Sequence, residues 1–138
     1  MTIRPLQLAE AGVLLPLWAA AATPSHTDTI ADIERAMANH QLACFVAEVD
    51  GVVVGSIIAA FDGWRGNIYR LVVHPDHRRR GIARQLVRAA DDMLMRWGAR
   101  RITALVDKDH AWAVSFWAAV GYSEDAKMAR FVRNVPQP

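Results

Sequence analysis

Cysteine is almost missing from this chain: Cys44 is the only one in 138 residues. A single thiol excludes an intrachain disulfide framework and leaves no cysteine pair to clip a metal ion. Cys44 sits inside Leu42-Ala43-Cys44-Phe45-Val46, so a small buried core residue is the expectation rather than a nucleophile. Long apolar runs are missing as well. The cleanest, Val52–Ile58 and Ala111–Val120, are interrupted by Gly55 and Ser115 and fall far short of the roughly 18 residues that suggest a membrane span. The opening residues, Met1-Thr2-Ile3-Arg4-Pro5-Leu6, carry neither a charged n-region nor an apolar h-region, and a cytoplasmic location is expected. Repeats, low-complexity tracts and Gly/Ser-rich linkers do not occur, so residues 1–138 are expected to form one domain.

Charge is present but unevenly placed. The formal net charge is only +2, yet Arg65 to Arg101 holds ten arginines against Asp76, Asp91 and Asp92. The first 50 residues run the other way, with Arg4 and Arg35 against Glu10, Asp28, Asp32, Glu34, Glu48 and Asp50. That polarity suits a protein receiving a polyanion through its middle segment, although a solvated surface gives a similar pattern.

Periodicity supplies the elements. Thr2–Leu6 reads as a short strand, followed by a helix through Leu8, Val13, Leu14, Leu17 and Trp18 that Pro16 should break or shorten. A second helix is predicted through Ile30, Ile33 and Met37, capped by Asp28 or Thr27. Leu42–Val49 and Val52–Phe61 are strands joined by Asp50-Gly51, a strong hairpin signal. Ile68–Val73 is the next strand, stopped by Pro75. From Gly81 to Trp97, Ile82, Leu86, Val87, Ala90, Met93, Leu94 and Trp97 trace one helix face, and Gly98 is placed to end it. Arg101–Val106 is a strand, Asp109–Val120 a helix and Ala126–Val132 a last strand. The order β-α-α-β-β-β-α-β-α-β implies an α/β fold with a mixed sheet.

The chemistry concentrates in Leu71-Val72-Val73-His74-Pro75-Asp76-His77-Arg78-Arg79-Arg80-Gly81-Ile82-Ala83, a strand, a basic turn and a helix start. A helix N-terminus presents unpaired N–H groups and partial positive charge to phosphate oxygens. Gly81 removes a side chain from that approach, and Ala83 leaves little in the way. Arg78, Arg79 and Arg80 add attraction for a polyphosphate. A phosphate-cradling loop of the Gly-x-x-x-x-Gly-Lys-Ser/Thr type is excluded because its lysine and spacing are missing, and a dinucleotide fingerprint because it needs three glycines. A nucleic-acid surface is the weakest fit, since aromatics are not interleaved with the arginines.

The spacing Val73-x-Pro75-x-x-Arg78-x-x-Gly81-x-Ala83 resembles motif A of the GNAT superfamily of N-acetyltransferases, whose signature is Arg/Gln-x-x-Gly-x-Gly/Ala. His110-Ala111-Trp112-Ala113-Val114-Ser115-Phe116-Trp117-Ala118-Ala119-Val120-Gly121-Tyr122 is similar to the family's late Asn-x-x-Ala-hydrophobic-x-Phe-Tyr-x-x-x-Gly-Phe segment. The resemblance implies a mostly antiparallel sheet flanked by helices, and acetyl-coenzyme A as cosubstrate with coenzyme A as product. It further implies that Leu71, Val72 and Val73 pair with the pantetheine arm while Arg78, Arg79, Arg80, Gly81, Ile82 and Ala83 cradle the pyrophosphate. The acceptor would be a primary amine of a small molecule or peptide, and a homodimer is a family possibility.

Catalytic groups are less legible. The backbone N–H of Val73 is the family-style oxyanion donor, and Asn67 and Tyr69, sharing a face of a regular strand, could hold a water that takes the amine proton. Where the family often carries a tyrosine and an asparagine against the cofactor, this chain has Trp117 and His110. An indole N–H can hydrogen-bond a leaving sulfur but does not give up its proton, so no catalytic acid is assigned. A non-catalytic acetyl-coenzyme A sensor is the alternative. Trp18, His26, Asp28, Asp62 and Trp64 are expected near the acceptor, an acidic and aromatic lining suited to a cationic amine.

Overall fold

The computed structural model describes the backbone of all 138 residues and every side chain except that of Ala111. Thr2–Pro5 forms β1, which pairs antiparallel with β2 (Leu42–Val49). At Asp50 and Gly51 φ is 51° and 79°, the positive pair that a tight hairpin turn demands, and the chain returns as β3 (Val52–Phe61). Antiparallel to β3 runs β4 (Gly66–Val73), and β5 (Ile102–Ala104) adds parallel to β4. The five strands lie in chain order in one mixed, mostly antiparallel sheet.

Leu8–Val13 forms a 3-10 turn that leads into α1 (Leu14–Ala20). Pro16 is accommodated in the first turn of α1, where its missing N–H would have had no helical partner. Next comes α2 (Ile30–Met37), whose cap differs from the expected Asp28 or Thr27: Thr29 accepts from the Asp32 N–H and Asp32 accepts in return from the Thr29 N–H. A reciprocal box satisfies two helix donors at once, which a cap one or two residues earlier could not do.

Each face of the sheet has its own core. On one face Leu14, Leu17 and Trp18 of α1 and Ile33 of α2 pack with Cys44, Val46, Ile58 and Val72, each large buried side chain contributing about 1.5–3 kcal/mol. Burial pushes the Cys44 thiol up to about 12, so it is a core residue with negligible thiolate near neutral pH. The opposite face takes α3 (Ile82–Trp97), which buries Ile82, Leu86, Val87, Ala90 and Leu94. Gly55 and Gly66 allow the close approach, since a Cβ at either would stand 3.1 Å from Leu86 or Leu94.

The chain divides into two compact units, Met1–Leu105 and Val106–Pro138. The first contains the sheet, α1, α2 and α3. In the second, α4 (Ala111–Ala119) follows His110, and Ala113 and Trp117 are buried. The expected final strand over Ala126–Val132 is absent; that segment is irregular, with Met128, Phe131 and Val132 exposed. Its apolar content predicts a strand, but a strand forms only against a partner edge, and the second unit offers none among its described residues.

Candidate active site

The site is built on β4, whose two halves are treated differently. Gly66, Asn67 and Ile68 pair with Ile102, Thr103 and Ala104 of β5, and the Leu105 N–H donates to the Ile68 carbonyl at 3.3 Å as the last bond between them. From Tyr69 to Val73 the strand stays paired with β3 but has no strand on its other edge among the described residues. The break coincides with a β-bulge. Tyr69 stands opposite Ile58 and Val72 opposite Ser56, so Arg70 and Leu71 together oppose the single residue Ile57.

Arg70 makes that bulge by adopting φ 56°, which a non-glycine residue reaches only at a cost of about 1–3 kcal/mol. A buried relay holds it there. The Ser56 hydroxyl donates to the Arg70 carbonyl at 2.9 Å and accepts from the Trp18 indole N–H at 3.1 Å. Past the bulge the pattern of edges resumes: the His74 N–H donates to the Val54 carbonyl at 2.7 Å, which turns the N–H of Val73 to the open edge. Arg78 reaches the Val73 carbonyl with its Nε at 3.3 Å.

After β4 a short 3-10 turn (Pro75–His77) leads into the arginines. His74 caps it, its Nδ1 accepting from the Asp76 N–H at 3.1 Å, which makes it a turn residue with that nitrogen engaged. Arg79 and Gly81 then both take positive φ, 64° and 77°, and Gly81 is the N-cap of α3 with no side chain covering the helix end. The first helical bond runs from the Gln85 N–H to the Gly81 carbonyl at 3.2 Å, so the N–H groups of Ile82, Ala83 and Arg84 precede any intrahelical partner. Left-handed residues spaced this way fold backbone N–H groups into an anion-binding concavity. Nothing lies within 4 Å of where a Gly81 Cβ would sit. A diphosphate fits this donor set, with open space at the glycine, exposed arginines beside it and a helix dipole behind.

The first unit therefore brings together Leu71, Val72, Val73 and the turn from Arg78 to Ala83. Asn67 and Tyr69 share a strand face, and Tyr69 packs on the α1–α2 core. Trp18 belongs to that core and is 2% exposed, which removes it from the expected acceptor lining. Trp64 is exposed, with the Arg65 guanidinium 3.8 Å over its ring. In the second unit His110 is the N-cap of α4 without a side-chain capping bond, and its Nε2 lies 3.6 Å from an Asp107 carboxylate oxygen. Trp117 makes an edge contact with Tyr122 at 4.9 Å. Sequence reasoning passed over Ser56 and Arg70. The available signal was a serine within an apolar strand, together with apolar Tyr69 and Val72 set three apart, a spacing that breaks strand alternation.

The chain matches the Acetyltransferase (GNAT) family over residues 13–122. It belongs to the GNAT acetyltransferase family. An acetyltransferase of Yersinia pestis (strain Pestoides F) is 38% identical over 92 residues, covering 66% of this chain and 64% of that relative. The matched stretch thus spans less than two thirds of the relative's length. Among solved structures, the aminoglycoside N-acetyltransferase AAC(6')-Iy, in complex with the bisubstrate analogue CoA-S-monomethyl-acetylneamine, superposes with a TM-score of 0.80 at 23% identity, covering 97% of this chain and 98% of the other. The ribosomal-protein-alanine N-acetyltransferase of Brucella melitensis biovar Abortus 2308 gives 0.75 at 22%, over 97% and 98%. These likenesses establish a GNAT fold. Among the described residues no helix is long and apolar enough to cross a membrane, and no cluster of His, Cys, Asp and Glu could hold a metal ion.

Proposed function

We propose that this GNAT protein is an N-acetyltransferase that uses acetyl-coenzyme A to acetylate a primary amine by direct attack in a ternary complex, with residues 1–138 acting as one domain. The single observation that carries this is the open, left-handed Gly81 cap at the start of α3, close in sequence to the half of β4 that β5 leaves with an open edge. Backbone N–H groups of Gly81, Ile82 and Ala83, with Arg78, Arg79 and Arg80, would hold the pyrophosphate. The open edge of Leu71, Val72 and Val73 would pair with the amides of the pantetheine arm as an added strand does.

The bound cosubstrate supplies an activated acetyl thioester; the protein's part is position and charge. Val73, its N–H on the open edge, would donate to the oxygen that becomes negative during transfer. Asn67 and Tyr69 would hold the water that takes the amine proton. Trp117 and His110 are proposed to face the cosubstrate, the indole N–H serving as a hydrogen-bond donor to sulfur. AAC(6')-Iy carries a CoA–acetylneamine bisubstrate analogue and the Brucella protein is named a ribosomal-protein-alanine N-acetyltransferase, which supports an amine acceptor.

The test is release of free thiol from acetyl-coenzyme A across a panel of primary amines. Amine-dependent release is expected. Binding of acetyl-coenzyme A with no thiol released for any amine would overturn the transferase proposal in favour of a sensor.

A further inference from the structure

Against α1 and the segment that follows it, β4 carries a cation that the proposed chemistry does not use. The Arg70 guanidinium lies over the Trp18 ring at 4.3 Å, and its Nη1 donates to the Thr23 carbonyl at 2.7 Å. It is half-buried, and desolvation lowers its pKa from the ordinary arginine value while the Asp28 charge opposes that shift. Asp28 does not bond it; that carboxylate accepts from the Ser25 hydroxyl at 2.7 Å. The remaining guanidinium donors of Arg70 have no protein partner among the described residues.

A fixed, partly desolvated guanidinium with unused donors is poised for an anion, and its planar fork matches a carboxylate best. Arg70 stands three residues before Val73 on the same bulged strand, with its side chain directed at the segment between α1 and α2. We infer that Arg70 recognises a carboxylate on the acceptor, so that the preferred substrates are amines bearing a carboxylate, such as amino acids or short peptide ends, rather than polycationic amines. This rests on the transferase reading above and narrows its acceptor class. It replaces the expectation of a cationic acceptor, because the tryptophan expected to cage an amine is already covered by an arginine.

The experiment measures thiol release with matched acceptors, each an amino carboxylate and its carboxamide, for the natural protein, Arg70→Asn and Arg70→Lys. Asparagine is chosen because it tolerates positive φ, and lysine because it keeps the charge. The natural protein should favour each carboxylate over its amide. Arg70→Asn should raise KM for the carboxylates about tenfold to a hundredfold, leave the amides within about twofold and leave acetyl-coenzyme A affinity unchanged, with Arg70→Lys recovering part of the loss. Equal loss on both members of each pair, or a natural preference for the amides, would overturn the inference alone. No thiol release with any acceptor would overturn the transferase reading and this inference together.

Discussion

The two halves of β4 are one strand with two fates. Gly66 to Ile68 are zipped to β5 and packed under α3, with Leu94 against Gly66. Tyr69 to Val73 include the strained residue Arg70 and have no strand on one edge among the described residues. The first half is ordinary sheet, stabilised by bonds it makes to itself. The second holds an open edge that costs stability and is maintained by a buried serine, a difference expected if this half is the proposed binding site and the first its scaffold.

With Gly81 left in place, removing the positive charge next to the open half should have the largest effect. Replacing Arg78, Arg79 and Arg80 together by alanine is expected to weaken coenzyme A binding about a hundredfold in calorimetry and to flatten its salt dependence. Ser56→Ala attacks the relay that holds the bulge. It strands the Trp18 N–H and the Arg70 carbonyl, and should lower stability by about 2 kcal/mol in denaturant unfolding, with a fall in any transferase activity. Trp117→Tyr restores the residue common in the family at that position; initial rates should rise about threefold, and a fall would give the indole a role of its own.

The smallest effect concerns a region far from the open edge. The Arg4 hydrogen bond, then the Gln7 N–H, hold the Glu10 carboxyl below the usual carboxylate range. A depressed folded pKa gives stability that is full above the unfolded value and is lost as pH falls through the folded one. Thermal melts should therefore show a modest acid-side loss that Glu10→Gln reduces, with no change in coenzyme A affinity.

Most elements were legible because their periods and punctuation agree: Asp50-Gly51 turned where expected, and α3 ends at Gly98 with its residue in the left-handed region. The glycine cap of α3, proposed to hold phosphate, was legible for the same reason, since glycine at a helix start has a physical meaning. The bulge was not, because Arg70 adopts a conformation that sequence assigns to glycine, and it is the tertiary bond from Ser56 to its carbonyl that holds it there. Ala126–Val132 failed for the converse reason: strand propensity is a preference for a neighbour, and a sequence does not say where that neighbour is.

The central claim is that α3 opens at Gly81 onto a diphosphate. Helix α3 carries its own control, since Gly98 at the other end is also left-handed, φ 104° against 77°, with nothing within 4 Å of a Cβ at either. Calorimetric titration of coenzyme A into Gly81→Glu and Gly98→Glu therefore compares similar backbone strain at opposite ends of one dipole. Binding should vanish in the first and persist within about threefold in the second, with both proteins folded. Undiminished affinity in folded Gly81→Glu would contradict the account.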